Sequence, residues 1–117
     1  MKVRILIVED NKGQQMVYQH WFEGETLDLC DSVDGARELI KKKKYDAVIL
    51  DLYLKDKESG FRLLEEIAQS KLRPKIIIVS AYIDQLQEMF PVEMKGVTWI
   101  PKEEATRERL KEELERV

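Results

Sequence analysis

Cysteine is almost absent from this chain. Cys30 is the only one among 117 residues, so no internal disulfide can form. It follows Leu27 and Leu29 in a strand-like run, where a buried and inert thiol is expected. Histidine is equally scarce: His20 stands alone, which excludes a histidine cluster and reads as an exposed helical residue. No apolar run approaches the roughly 20 residues that a membrane span requires, so no membrane insertion is expected. The formal charge is only −3, which offers no electrostatic reason for direct binding to nucleic acid. The first apolar run begins at Val3, leaving no room for a signal peptide, and a cytoplasmic location is the expectation. Repeats, linkers and low-complexity tracts are also missing.

What is present suits one globular domain spanning residues 1–117, with 44% apolar and 37% charged residues. Strand-like and helix-like patterns alternate five times. The strand runs are 3–8, 27–30, 47–50, 75–79 and 97–100, the third and fourth being the most apolar, as for strands covered on both faces. The first helical pattern follows Asn11, a good N-cap, with Val17, Tyr18, Trp21 and Phe22 at helical spacing. The second opens near Asp34 and sets Ala36, Leu39 and Ile40 on one side. The third begins near Gly60, with Phe61, Leu64, Ile67 and Ala68 facing inward. The fourth, from Ile83 to Phe90, ends at Pro91. The fifth, from Glu104 to Val117, is highly charged and carries Leu110, Leu114 and Val117 as its apolar stripe. Lys41-Lys42-Lys43-Lys44 reads as a solvated helix end whose cations complement the dipole. Such alternation predicts an α/β fold with a parallel sheet and right-handed crossovers.

Two apolar runs end in carboxylates. Val3-Arg4-Ile5-Leu6-Ile7-Val8 runs into Glu9-Asp10, and Ala47-Val48-Ile49-Leu50 runs into Asp51. In an open α/β sheet, chemistry gathers outside the carboxyl ends of the strands, where the strand order reverses. Three carboxylates brought together there repel one another. A hard cation relieves that repulsion, and Asp51 could then act as a nucleophile toward a phosphoryl group. Capping of the first helix is the plainer explanation for Glu9 and Asp10, but it leaves Asp51 unexplained.

Glu9-Asp10 after the first strand, Asp51 after the third, Ser80-Ala81 after the fourth and Lys102 after the fifth together resemble the receiver domain of two-component response regulators. The flanking runs Asp34-Gly35-Ala36-Arg37-Glu38-Leu39 and Tyr45-Asp46-Ala47-Val48-Ile49-Leu50-Asp51-Leu52 extend the likeness over essentially the whole chain. The resemblance implies a flavodoxin-like, doubly wound five-stranded sheet of order 2-1-3-4-5 with five helices. It implies that Asp51 accepts a phosphoryl group from a histidine kinase or histidine phosphotransfer protein, with Mg²⁺ or Mn²⁺ as cofactor. Asp10 and Asp51 would be direct metal ligands, the Tyr53 carbonyl a third, and Glu9 a ligand through water. Lys102 would pair with the phosphoryl oxygens as a point cation, and Ser80 would hydrogen-bond to one of them. Trp99 occupies the place of the switch aromatic, although a tryptophan in a terminal strand is also simply a good packing residue. Trp21 reads as core.

On this reading the chain catalyses its own phosphorylation and dephosphorylation but has no independent metabolic activity. Its output would be a changed surface on the fourth helix, fifth strand and fifth helix. That surface would be offered to a downstream protein target or effector domain, or to a second copy in a phosphorylation-dependent homodimer. Departures from the family pattern lie after Asp51, where the usual proline at Lys55 is missing and the loop is one residue longer. Proline precedes Lys102 (Pro101) instead of following it, so no cis peptide is expected at Lys102–Glu103. The approach from Gly96 to Lys102 is about one residue short. A degenerate receiver acting as a phosphorylation-independent interaction module is therefore the alternative. A haloacid-dehalogenase-like phosphatase would need a second Asp where Tyr53 stands, and a flavodoxin-like cofactor binder would need a phosphate loop where Glu9-Asp10 stand.

Tyr53 and Tyr82, two residues after Asp51 and Ser80, flank the path of the hydrolytic water in this family. Two aromatics there should hinder the water and prolong the phosphoryl group's life. Replacing both by small polar residues is expected to speed dephosphorylation in a phosphoryl-decay assay; an unchanged rate would refute the assignment.

Overall fold

The computed structural model describes residues 3–52, 57–70, 74–81 and 97–116. Its strands are β1 (Arg4–Val8), β2 (Thr26–Cys30), β3 (Ala47–Leu50), β4 (Lys75–Ser80) and β5 (Val97–Pro101). The helices are α1 (Lys12–Trp21), α2 (Val33–Lys42), α3 (Lys57–Gln69) and α4 (Arg107–Leu114), with a 3₁₀ turn at Lys102–Glu104. All five strands pair in parallel in the order β2-β1-β3-β4-β5. The helical pattern from Ile83 to Phe90 lies outside the described residues. Among the described residues, no helix is long and apolar enough to cross a membrane.

Strand residues alternate between two cores because successive side chains leave a strand on opposite faces. Leu6, Val8, Val48, Leu50, Ile76 and Ile78 pack with Val33 and Ala36 of α2 and Phe61, Leu64 and Ile67 of α3. Ile5, Ile7, Ala47, Ile49, Ile77 and Val79 face the other way, onto Tyr18 of α1, Phe22 and Leu110 and Leu114 of α4. β3 is buried at every position, which explains its uninterrupted apolar run. Each fully buried aliphatic side chain contributes about 1.5–3 kcal/mol.

Local signals set the helix starts. The Asn11 side chain accepts from the Gln14 N–H at 2.9 Å, Ser32 from Gly35 at 3.0 Å and Thr106 from Arg109 at 3.1 Å. Several sequence expectations shift. α3 begins at Lys57, three residues before Gly60. Val17 stays exposed while Tyr18 and Phe22 are buried, because ten helical residues cannot turn two adjacent positions equally inward. The last helical pattern is interrupted: Thr106 caps a new helix after the 3₁₀ turn, and Val117 lies outside the described residues. Lys43 ends α2 and pairs with Asp28 at 3.1 Å, where Asp28 also accepts from the Tyr45 hydroxyl at 2.7 Å.

Glu113, on the buried side of the charged α4, escaped the sequence reading. Its carboxylate meets Lys75 at 2.9 Å and Thr98 at 3.2 Å and is paired with Arg109. These contacts tie the end of α4 to the starts of β4 and β5. The Lys75 and Arg109 hydrogen bonds hold the Glu113 carboxyl down at about 2, against the opposing effect of burial. A carboxyl held below its ordinary value adds stability above that value and loses it as pH falls. Glu113→Gln should therefore lower stability at pH 7 by about 2 kcal/mol. In urea melts across a pH series, the gap from the native chain should close as pH drops from 4.5 toward about 2. A gap independent of pH would show that the charge is not what holds the helix.

Candidate phosphoacceptor site

Strand register builds the site. Val8 lies opposite Cys30 on one side and Leu50 on the other, so Glu9 and Asp51 emerge side by side, one residue beyond the paired strands. Backbone bonds continue the ladder there: the Glu9 N–H donates to the Cys30 carbonyl at 3.0 Å and the Asp51 N–H to the Val8 carbonyl at 3.2 Å. On the other flank Ser80 lies opposite Pro101. The next residue, Lys102, therefore leaves the sheet beside Ser80.

Glu9, Asp51 and Ser80 are buried, whereas Asp10 and Lys102 are half-buried. The Ser80 hydroxyl donates to Asp51 Oδ1 at 2.9 Å, and Lys102 Nζ donates to Asp51 Oδ2 at 3.2 Å. Both oxygens of the carboxylate are thus engaged, one by a neutral donor and one by a cation. The Asn11 N–H donates to Glu9 Oε1 at 3.2 Å, and the Gln15 carboxamide donates to the Glu9 backbone carbonyl at 2.5 Å. The sequence drew attention to Asn11 as a cap but passed over Gln15, since a polar residue in a first helical turn carries no signal by itself.

Burial pushes the Glu9 carboxyl up to about 7, and the neighbouring Asp51 charge and a hydrogen bond to Asp51 add to the rise. Lys102 and the Asn11 N–H oppose it. For Lys102, burial disfavours the charge, yet the Asp51, Glu9 and Asp10 carboxylates outweigh it and hold the ammonium above its ordinary value. Among the described residues, Lys102 thus faces three carboxylates, Asp51, Glu9 and Asp10. Among the described residues, no three His, Cys, Asp or Glu side chains already stand close enough to hold a metal ion.

Ala81 follows Ser80 and is half-buried, as is Trp99, which packs against the Leu50–Ile78 side of the core opposite Ile78. Trp21 is half-buried and makes an edge contact with Tyr18 at a ring separation of 5.8 Å. His20 is exposed. Cys30 is half-buried, its thiol pushed up to about 11 chiefly by burial, as an unreactive cysteine should be. Tyr53, whose carbonyl was a candidate ligand, and Tyr82 both lie outside the described residues.

Removing the lysine charge isolates its effect on the carboxylates. Lys102→Gln should raise the Glu9 carboxyl above about 7, read by carboxyl carbon NMR titration in metal-free buffer. A value that stays put would mean that Lys102 does not act on this pair.

Comparison with known proteins places the chain. Residues 5–115 match the family model for the response regulator receiver domain. The chain is 33% identical over 86 residues to the probable C4-dicarboxylate response regulator DctR of Bacillus subtilis (strain 168), covering 70% of this chain and 38% of that protein. A sensor protein structure from Polaromonas sp. JS666 superposes with a TM-score of 0.85 at 25% identity, over 99% of this chain and 95% of that one. The receiver domain of sensor histidine kinase PA1611 from Pseudomonas aeruginosa PAO1, described with magnesium coordinated in its active site cleft, superposes at 0.81 and 24% identity, over 99% and 97%. The chain spans less than half the length of the curated relatives it matches. It belongs to the receiver domain family of two-component response regulators.

Proposed function

We propose that residues 1–117 act as one phosphoacceptor domain in which Asp51 takes a phosphoryl group from a phosphohistidine on a kinase or phosphotransfer partner. The observation that carries this reading is the two-sided grip on Asp51, by the Ser80 hydroxyl at 2.9 Å and the Lys102 ammonium at 3.2 Å. An acyl phosphate formed here would meet a hydroxyl donor and a cation already in place. An Asp51 oxygen bonds to phosphorus as the P–N bond of the partner breaks, and the departing imidazole takes up a proton. Ser80 then donates to a phosphoryl oxygen, and Lys102 follows the charge outward from the carboxylate.

The donor set fits a hard divalent cation. Glu9 and Asp51 are buried carboxylates, the Asp51 charge adding to the rise of the Glu9 carboxyl, and oxygen ligands of this kind suit Mg²⁺. Asp10 and Asp51 would hold it directly and Glu9 through water, with the Tyr53 carbonyl completing the set. When bound, Mg²⁺ neutralises charge on the carboxylates and on the incoming phosphoryl oxygens. Manganese would serve in the same way.

Phosphorylation replaces the single charge of the Asp51 carboxylate with a phosphoryl group of about −1.5 to −2 charges and three strong acceptor oxygens. Ser80 and Lys102 are the groups that answer it, and Trp99 lies on β5, three residues before Lys102. We read Ser80 and Trp99 as the switch that re-forms a surface for a downstream protein, an effector domain or a second copy of the chain. A cytoplasmic location goes with this reading.

Incubation with acetyl phosphate and Mg²⁺, followed by intact mass measurement, tests it. The native chain should gain one phosphoryl adduct that is absent from Asp51→Asn and abolished by a chelator. No adduct, together with no change in tryptophan fluorescence on adding beryllofluoride, would instead support a phosphorylation-independent interaction module.

A further inference from the structure

The cation reading leaves open what holds Glu9 and Asp10 in position, since they lie beyond the end of β1 where the strand ladder no longer fixes the backbone on both sides. Their peptide is planar, so fixing the Glu9 carbonyl oxygen also fixes the direction in which the chain enters Asp10. One side chain reaches that oxygen from the helix. Gln15 is half-buried in the first turn of α1. Its backbone N–H bonds to the Asn11 carbonyl at 3.0 Å, as an ordinary helical residue does. Its carboxamide Nε2 turns back across six residues to the Glu9 carbonyl at 2.5 Å.

The residue between them is tied in as well. The Asn11 N–H holds Glu9 Oε1 at 3.2 Å, while the Asn11 side chain caps the helix at Gln14. Gly13 leaves room for this, because a Cβ there would approach Asn11 Oδ1 to 3.2 Å. The β1–α1 junction is thus clamped at the Glu9 carbonyl, the Glu9 carboxylate and the helix cap. Among the described residues, Gln15 is the side chain that bonds to the peptide joining the two acidic residues.

We infer that Gln15 is a positioning residue for the cation site: its carboxamide sets the Glu9–Asp10 peptide so that both carboxylates can serve one ion. The inference rests on the reading of this edge as a Mg²⁺ site. Groups that orient metal ligands without touching the metal matter strongly, and their loss typically weakens metal binding about 10–100-fold. Helix α1 itself does not depend on Gln15, because Asn11 supplies its cap and Tyr18 and Phe22 its buried contacts.

The test is Mg²⁺ binding by isothermal titration calorimetry on the native chain and on Gln15→Met, which keeps length, neutrality and helix propensity but cannot donate. Gln15→Ala is the second variant, and thermal melts check that each is folded. Expected is a Kd weakened by about tenfold or more in both variants, with the melting temperature little changed. Labelling by acetyl phosphate should then need more Mg²⁺ to reach half its maximal rate, while the rate at saturating Mg²⁺ stays near native. Binding within about twofold of native in a folded variant would overturn the role of Gln15 and leave the cation site standing. A native chain that binds no Mg²⁺ would overturn the site itself, and the Gln15 assignment with it.

Discussion

Two carboxylates buried side by side are the constraint around which this molecule is arranged. Glu9 and Asp51 are neighbours because Val8 is paired on both sides in an unbroken parallel ladder, and burial together with the Asp51 charge makes Glu9 costlier to ionise. Such a pair persists in a low-dielectric site only if something meets its charge. Ser80 and Lys102 do so for Asp51, and the Asn11 N–H does so in part for Glu9. Burial and the Asp51 charge nevertheless push the Glu9 carboxyl up to about 7. The cation proposed for this edge would favour the charged form of both carboxylates.

The placing of Ser80 and Lys102 depends on the same ladder. Neither belongs to the element that carries Asp51, yet the register of β4 against β3 and of β5 against β4 brings each to one of its oxygens. A slip of one residue in either pairing would turn the hydroxyl or the ammonium to the other side of the sheet. The two apolar cores oppose that slip, since it would exchange Ile77 and Val79 of one core with Ile76 and Ile78 of the other and force both to repack. Packing in the centre of the sheet therefore holds the geometry at its edge.

Much of this was legible in the residues. Uninterrupted apolar runs such as Ala47-Val48-Ile49-Leu50 mark strands covered on both faces, and acidic residues directly after such runs mark the edge where they meet. Asn11 was readable as a helix cap from its own chemistry, and Ser80 only through the family resemblance. What escaped depends on contacts distant in sequence. Glu113 lies in a helix so rich in charge that a buried carboxylate cannot be told from its solvated neighbours until Lys75 and Thr98 are seen against it. Gln15 is silent for the same reason, its partner being a backbone carbonyl that has no letter in the sequence. The shortness counted from Gly96 to Lys102 begins outside the described residues, while the pairing of Ser80 with Pro101 places Lys102 beside Ser80.

The fastening of α4 has a mechanical consequence. The helix begins a few residues after Lys102, at the edge where Asp51 lies, and runs back to Glu113, which is anchored to the opposite edge through Lys75 and Thr98. One end of the segment is thus tied to Asp51 through Lys102 and the other to the strand starts through Glu113. The two ends are held unequally: Glu113 is buried among three charged or polar partners, whereas Lys102 is half-buried and holds a single carboxylate oxygen. Were the proposed phosphoryl transfer to draw Lys102 away, the end of α4 nearer Asp51 would be the freer of the two to follow.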